Sequence, residues 1–277
     1  MYDNHLLSLA FLTVQGCEPR EHIRIAAQTG YDAAGLRIIA PHGLELAHPI
    51  VGNQPLIREI TTMGADLGIR FLDGEVFTLL PDTDVADWRP VLETAAELSM
   101  PLMQITCEDA DFARAADNLG LVADMAAEMQ IDMAIEFMRW RATATIEEAT
   151  RLATASGRAS VGILLDALHL SRSGGSPEAV KALPSGLVRY LQLCDAPAIQ
   201  PASDAACIVE ARGERMMPGE GALWLCELME ILPADLPISV ETPHKGDQAL
   251  SYLDRARLGM TATRRFLDSC RGAGHRA

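Results

Sequence analysis

The sequence predicts an α/β fold, a single (β/α)8 TIM barrel. Two observations carry this. Eight short apolar runs alternate with helical patterns along all 277 residues, with glycines stopping several of the helices. The run that begins at Val161 is continuously apolar up to Asp166, the signature of a strand buried on both faces of a parallel sheet. A doubly wound sheet would want a glycine-rich phosphate turn after its first strand, and Gln15-Gly16-Cys17-Glu18-Pro19 is not one.

The first strand is placed at residues 6–14, and Pro19 opens a helix through Ile23, Ala26 and Ala27 that Gly30 stops. Residues 31–39 form the second strand, with Arg37 near its end. Leu56, Ile60, Met63 and Leu67 mark a helix closed by Gly68, and residues 69–76 are the third strand, with Glu75 near its end. Trp88, Leu92, Ala95 and Leu98 have helical spacing, and residues 102–106 are the fourth strand. An amphipathic helix over 112–129 leads to strand five at 131–137, which contains Glu136. A helix over 143–155, with Glu147 four residues before Arg151, precedes strand six at 161–166. A short helix at 177–183 leads to strand seven at 187–193, which ends in Gln192 and Asp195. A long irregular segment rich in proline and glycine follows. A helix near 224–231, strand eight at 237–241 and a final helix at 248–267 complete the pattern. No linker or low-complexity segment interrupts it, so residues 1–277 are read as one domain with a frayed tail over 271–277.

A net charge of −15 with no basic stretch excludes a phosphate-tracking face, so no nucleic acid partner is expected. No apolar run approaches the ~20 residues of a membrane span, and the N-terminus lacks a basic region before its apolar run. The six cysteines are scattered without a CxxC pair. They are read as reduced, mostly buried thiols of a cytoplasmic protein. Cys107 and Cys194 lie beside strand ends with no histidine paired locally, and count as small hydrophobes.

Barrel enzymes place their active site at the carboxyl ends of the strands. Glu136, Asp166, Gln192 and Glu241 end strands five to eight, so their side chains should converge on one side of the mouth. Three carboxylates at such range repel unless a cation joins them. Carboxylates with an amide suit a hard divalent ion, Mg2+ or Mn2+, better than zinc. Asp166 also has a plainer role open to it, as the cap of the next turn, with His169 packed on the rim. Arg37, His42 and Glu75 fall near strand ends as rim or packing residues, and His244 is read as a cap of the last helix. Met216 and Met217 either pack over substrate or fill space.

Several pieces resemble the xylose-isomerase-like superfamily of sugar isomerases and epimerases along essentially the whole chain. They are Ile135-Glu136-Phe137, Leu165-Asp166-Ala167-Leu168-His169, Leu191-Gln192-Leu193-Cys194-Asp195-Ala196-Pro197, Arg215-Met216-Met217-Pro218-Gly219-Glu220-Gly221 and Ile238-Ser239-Val240-Glu241. The resemblance implies that Glu136, Asp166 and Glu241 ligate a divalent metal and that His169 contacts substrate. It implies a ligand at Gln192 too, where the family commonly has histidine and the hydroxypyruvate-isomerase branch has glutamine. It tips Arg215 from a solvated loop residue towards a substrate clamp. Family members are often dimers or tetramers, so a homo-oligomer is compatible with it.

The expected activity is a metal-dependent isomerase or epimerase of a small keto-sugar or polyhydroxy ketone. Glu136 and Glu241 would exchange the proton of an enediolate, and His169 would stabilise its oxyanion. The alternative is a dehydratase or other lyase that forms the same enolate from a keto-sugar or keto-cyclitol. A phosphodiester-cleaving endonuclease fits less well, because Gln192 and Arg215 stand where a zinc cluster would want histidines. A non-catalytic binding protein would be favoured by loss of one glutamate, and both are present.

Overall fold

A computed structural model describes residues 5–40 and 45–273. Eight parallel strands close into a barrel in the order in which they occur: β1 (Leu7–Leu9), β2 (Ala33–Arg37), β3 (Arg70–Leu79), β4 (Leu102–Cys107), β5 (Asp132–Glu136), β6 (Val161–Asp166), β7 (Val188–Leu193) and β8 (Ile238–Val240). The closing pair is β1 with β8, in register from Leu7 opposite Ile238 to Leu9 opposite Val240. Helices connect the strands: α1 (Pro19–Thr29), α2 (Gln54–Leu67), α3 (Arg89–Glu97), α4 (Phe112–Ala127), α5 (Ile146–Ala155), α6 (Ala167–Arg172), α7 (Pro177–Lys181), α8 (Asp204–Gly213) and α9 (Leu225–Ile231), with α10 (Tyr252–Ala273) closing the chain.

Local chemistry sets the helix ends. Thr145 and Glu148 form a reciprocal capping box at the start of α5. Gly30 ends α1 at φ 82°, a left-handed conformation in which a side chain would be strained. Outward-facing strand residues such as Leu9, Ile105, Ile135, Ile163 and Val240 pack beneath the helix ring in one continuous apolar core. Inside the barrel, Ala33, Leu72, Leu102, Ala134, Leu164 and Tyr190 form a separate plug.

The predicted elements are all present, with four changes. The first strand stops at Leu9, where its pairing with β8 ends, and a 3-10 turn over Phe11–Val14 takes up the rest. The segment read as irregular after β7 contains α8, a helix whose alanines and single isoleucine give it only a thin apolar stripe. His244 caps a 3-10 turn, Lys245–Asp247, by accepting the Gly246 N–H at 3.1 Å, and not the last helix. The tail placed at 271–277 is helical as far as Ala273; His42 and residues 274–277 lie outside the described residues.

The reading of six reduced thiols is corrected too. Cys226 on α9 and Cys270 on α10 form a disulfide across 44 residues, while Cys17, Cys107, Cys194 and Cys207 are free and buried. The two half-cystines are remote in sequence and meet only because neighbouring helices of the outer ring pack together. Alkylation of the unfolded, unreduced protein should therefore label four cysteines, and six after reduction, as counted by intact mass.

One buried acid lies in the barrel interior. Asp73 on β3 is fully buried, accepts the Tyr190 hydroxyl hydrogen bond at 3.2 Å, and leaves its Oδ1 without a partner. It fits there because β2 carries Gly35 beside it, where a Cβ would come within 2.7 Å of that oxygen. Burial, with the charge of Glu75 adding to it, pushes the Asp73 carboxyl up to about 8. The folded state thus holds a proton that the unfolded chain releases near pH 4, so stability falls as pH rises from about 4 to 8. Asp73→Asn should remove that decline. Urea denaturation should show the variant gaining on the wild type by about 1.4 kcal/mol per pH unit across this window, and by nothing further above it.

Candidate active site

The predicted strand-end residues meet where barrel geometry puts them. Glu136 is the last residue of β5, Asp166 the last of β6, Gln192 is paired with Asp166 across β6 and β7, and Glu241 directly follows β8. All four are at least 97% buried. Glu136, Glu241, His169 and Arg215 line a cavity of about 210 Å³ at the carboxyl end of the barrel, room for about seven waters. Arg37 and Glu75 line the same cavity and pair at 2.7 Å, Glu75 buried and Arg37 partly exposed.

Asp166 takes the plainer of its two roles, the cap, and adds an ion pair with Arg215. Its Oδ1 caps α6 by accepting the His169 N–H at 2.9 Å, while Oδ2 takes Arg215 Nη1 at 2.6 Å. The other Arg215 amino group reaches Glu241 Oε2 at 2.9 Å, and its Nε donates to the Ala211 carbonyl at 2.8 Å. Arg215 is only 2% exposed, so it is no free loop arginine. It is a buried cation wedged between two of the predicted ligands.

The loop after β7 delivers it there. Asp195 accepts four backbone N–H groups: Ala196 and Leu223 on Oδ1 at 2.9 and 3.0 Å, Gly219 and Gly221 on Oδ2 at 3.1 and 2.9 Å. Gly221 is needed there, since a Cβ would stand 2.4 Å from Asp195 Oδ1. Arg172 clasps Glu210 with two bonds of 2.8 and 2.7 Å and so docks α8 on α6. Met216 and Met217 belong to the loop that Asp195 gathers, and neither lines the cavity.

Electrostatics separate the carboxyls. Burial, then the charges of Asp166 and Glu241, hold Glu136 well above the usual carboxylate range. Burial dominates at Glu241 as well and takes it to about 8 against the pull of Arg215. At Asp166 burial would do the same, but Arg215 and His169 outweigh it and keep the carboxyl low. His169 is neutral, its pKa pushed down to about 4 by burial. Its Nε2 lies 3.6 Å from Glu136 Oε1, its Nδ1 has no partner, and Trp140 meets its ring edge-on at 5.2 Å.

The donor set fits a divalent cation. Glu136, Asp166 and His169 offer ligand atoms within 4.8 Å of one another, and the buried Gln192 Oε1 has no partner. With all three carboxyls ionised and Arg215 charged, the cluster would carry two net negative charges, which a divalent ion neutralises. The raised pKa values of Glu136 and Glu241 are the alternative answer, two protons in its place. His169 thereby joins the predicted ligands as a candidate, a role that the sequence reading gave it only towards substrate.

Sequence reasoning missed Gln104, Trp140, Arg141 and Arg212, which line the cavity. Gln104 Nε2 donates to Glu136 Oε2, so a strand-four residue orients the strand-five carboxylate. Its signal was available, a lone amide in the otherwise apolar run of β4. Trp140 and Arg141 sit in the loop after β5, where nothing but the barrel rule marks them.

Residues 23–270 match the family described as the xylose isomerase-like TIM barrel. The chain belongs to this family. It is 29% identical over 139 residues to the 3-dehydroshikimate dehydratase of Pseudomonas aeruginosa, a match covering 48% of this chain and 21% of that protein. The chain thus spans about a fifth of that curated relative's length. Among solved structures, the IolI protein with a bound zinc atom superposes with a TM-score of 0.78 at 17% identity, over 95% of this chain and 98% of the other. An L-ribulose 3-epimerase superposes with a TM-score of 0.72 at 14% identity, covering 98% and 97%. Identities so low show the fold alone. The curated relative is thus a dehydratase and one of the structural neighbours an epimerase. Among the described residues no helix is long and apolar enough to cross a membrane.

Replacing the amide at position 192 tests the ligand set. Gln192→His should keep one divalent ion per chain but shift preference from Mg2+ and Mn2+ towards zinc and cobalt, because imidazole is the better ligand for them. Metal content after competitive dialysis reads this directly, and an unchanged rank order would place Gln192 outside the ligand set.

Proposed function

We propose that the protein moves a proton on the carbon beside a carbonyl, as a divalent-metal-dependent isomerase or epimerase of a small keto-sugar or polyhydroxy ketone. The observation that carries this reading is the pair of buried carboxyls, Glu136 and Glu241, that border one cavity from the ends of β5 and β8. Glu136, Asp166, Gln192 and Glu241, with His169 as a further candidate, would hold Mg2+ or Mn2+, and the ion would supply the Lewis acidity that makes the C–H acidic.

The residues themselves do the rest. Of the two carboxyls, one would serve as base and the other as acid. The ionised glutamate takes the C–H proton, and the protonated one delivers a proton to the adjacent carbon or the opposite face. Gln104 holds Glu136 in place through its amide. Neutral His169 can offer an N–H to the developing oxyanion without bringing a charge of its own. Arg215 keeps Asp166 ionised and steadies Glu241.

A second reading, supported by the Pseudomonas aeruginosa relative's name, is a dehydratase. The enolate forms in the same way, and the protonated glutamate then serves the departing β-hydroxyl as its acid. Incubation of the metal-loaded protein with candidate ketoses and keto acids in D2O separates the two. Isomerisation leaves deuterium on carbon in a saturated product, whereas elimination gives an unsaturated one. Glu241→Gln should keep the metal while proton exchange falls by roughly 10²–10⁴. Wild-type exchange rates in both Glu136→Gln and Glu241→Gln, with metal retained, would overturn the two-glutamate mechanism.

A further inference from the structure

Four arginines line the cavity, Arg37, Arg141, Arg212 and Arg215, in a protein whose net charge is −15. Two of them are paired with buried carboxylates, although the Arg37 Nε has no hydrogen-bond partner. Arg215 is bound by Asp166 and Glu241, and Arg37 by Glu75 at 2.7 Å, with its guanidinium 4.6 Å over the Phe11 ring. Arg141 pairs with Glu108 through Nη1, while its buried Nε has no partner. Arg212, exposed in the last turn of α8, has no hydrogen-bond or ion-pair partner among the described residues.

The surroundings add to this positive end. A second cavity of about 240 Å³ shares Leu12, Gln15 and Arg212 with the first and is otherwise walled by residues that include His244, Lys245 and Arg255, with no carboxylate lining it. Arg141 is held below the ordinary arginine range, first by burial and then by the charge of Arg212. The two guanidiniums therefore stand in each other's field, at a cost that a bound anion would remove. Glu108 answers one amino group of Arg141 and Glu214 pairs with Lys245 at 2.9 Å, which leaves Arg212 as the cavity arginine without a carboxylate partner among the described residues.

We propose that Arg141 and Arg212 form an oxyanion subsite at the mouth of the cavity, so that the substrate is a polyhydroxy ketone bearing a carboxylate or phosphate. The subsite gives the substrate an orientation. Its anionic end meets the two guanidiniums, whose planar N–H forks match an oxyanion. Its carbonyl end reaches Glu136, Glu241 and His169. In a protein of net negative charge, a local cationic mouth also draws an anion in against the overall field. This inference rests on the cavity being the substrate site, but it concerns binding and can be tested without turnover.

The test is equilibrium dialysis of the Mg2+-loaded protein with three probes of similar shape: sorbitol, gluconate and sorbitol 6-phosphate. At least one anionic probe should bind the wild type ten times or more as tightly as sorbitol, and the tighter of the two identifies carboxylate or phosphate as the group recognised. Arg212→Gln and Arg141→Gln should each weaken that probe by roughly 10- to 100-fold, with sorbitol binding and metal content unchanged. Arg212→Lys should restore part of the loss. Arg141→Gln also breaks the pair with Glu108, but Arg212 has no partner to lose among the described residues, so its variant stays informative if the other misfolds. Equal binding of all three probes, no binding of any, or undiminished anion binding in Arg212→Gln would overturn the proposal. Anion preference without deuterium exchange on any ketose would leave the subsite standing and remove the reaction assigned above.

Discussion

A guanidinium buried between two carboxylates is the constraint around which this site is built. Arg215 ties the end of β6 to the end of β8 through Asp166 and Glu241, bridging over β7, whose own contribution is the uncharged Gln192. A buried charge without a partner is very costly, so each of the three groups requires the other two. The pairing also sets the character of the remaining carboxyl. Glu136 receives no ion pair from Arg215 and stands beside two acids that do, and burial with their charges holds it well above the usual carboxylate range.

That arrangement explains why the loop after β7 is long and tied down by hydrogen bonds. An arginine can reach the barrel axis only if its backbone is brought back over the mouth. Asp195 does this by gathering four N–H groups, and α8 fastens the returning chain through Glu210 and Arg172. The chemistry at the mouth depends on this loop as much as on the strands.

Much of this was legible in the sequence. Strand ends could be read because a run buried on both faces ends abruptly where polar residues begin, and the barrel rule then converts four such ends into one place. Glu136, Asp166, Gln192 and Glu241 came together for that reason. The rest depends on tertiary contacts without a local signature. Nothing in the residues around Arg215 says that it is buried, because its burial comes from Asp195 twenty residues earlier drawing the turn inward. Arg141 and Arg212 stand on separate loops and become neighbours only at the closed mouth. The helix α8 lacks the apolar stripe that periodicity detects, and the partner of Cys226 is a helix away.

The link between Cys226 and Cys270 has a consequence for how the molecule comes apart. It spans β8, the 3-10 turn at Lys245–Asp247 and most of α10, the segment that closes the barrel against β1 and α1. A backbone cut anywhere in that stretch would leave two pieces still joined through sulfur. The nicked chain would run as one species on a gel without reductant and as two with it. The closing strand of the barrel and the helix after it are thus fastened to the rest by a bond that a protease does not cut.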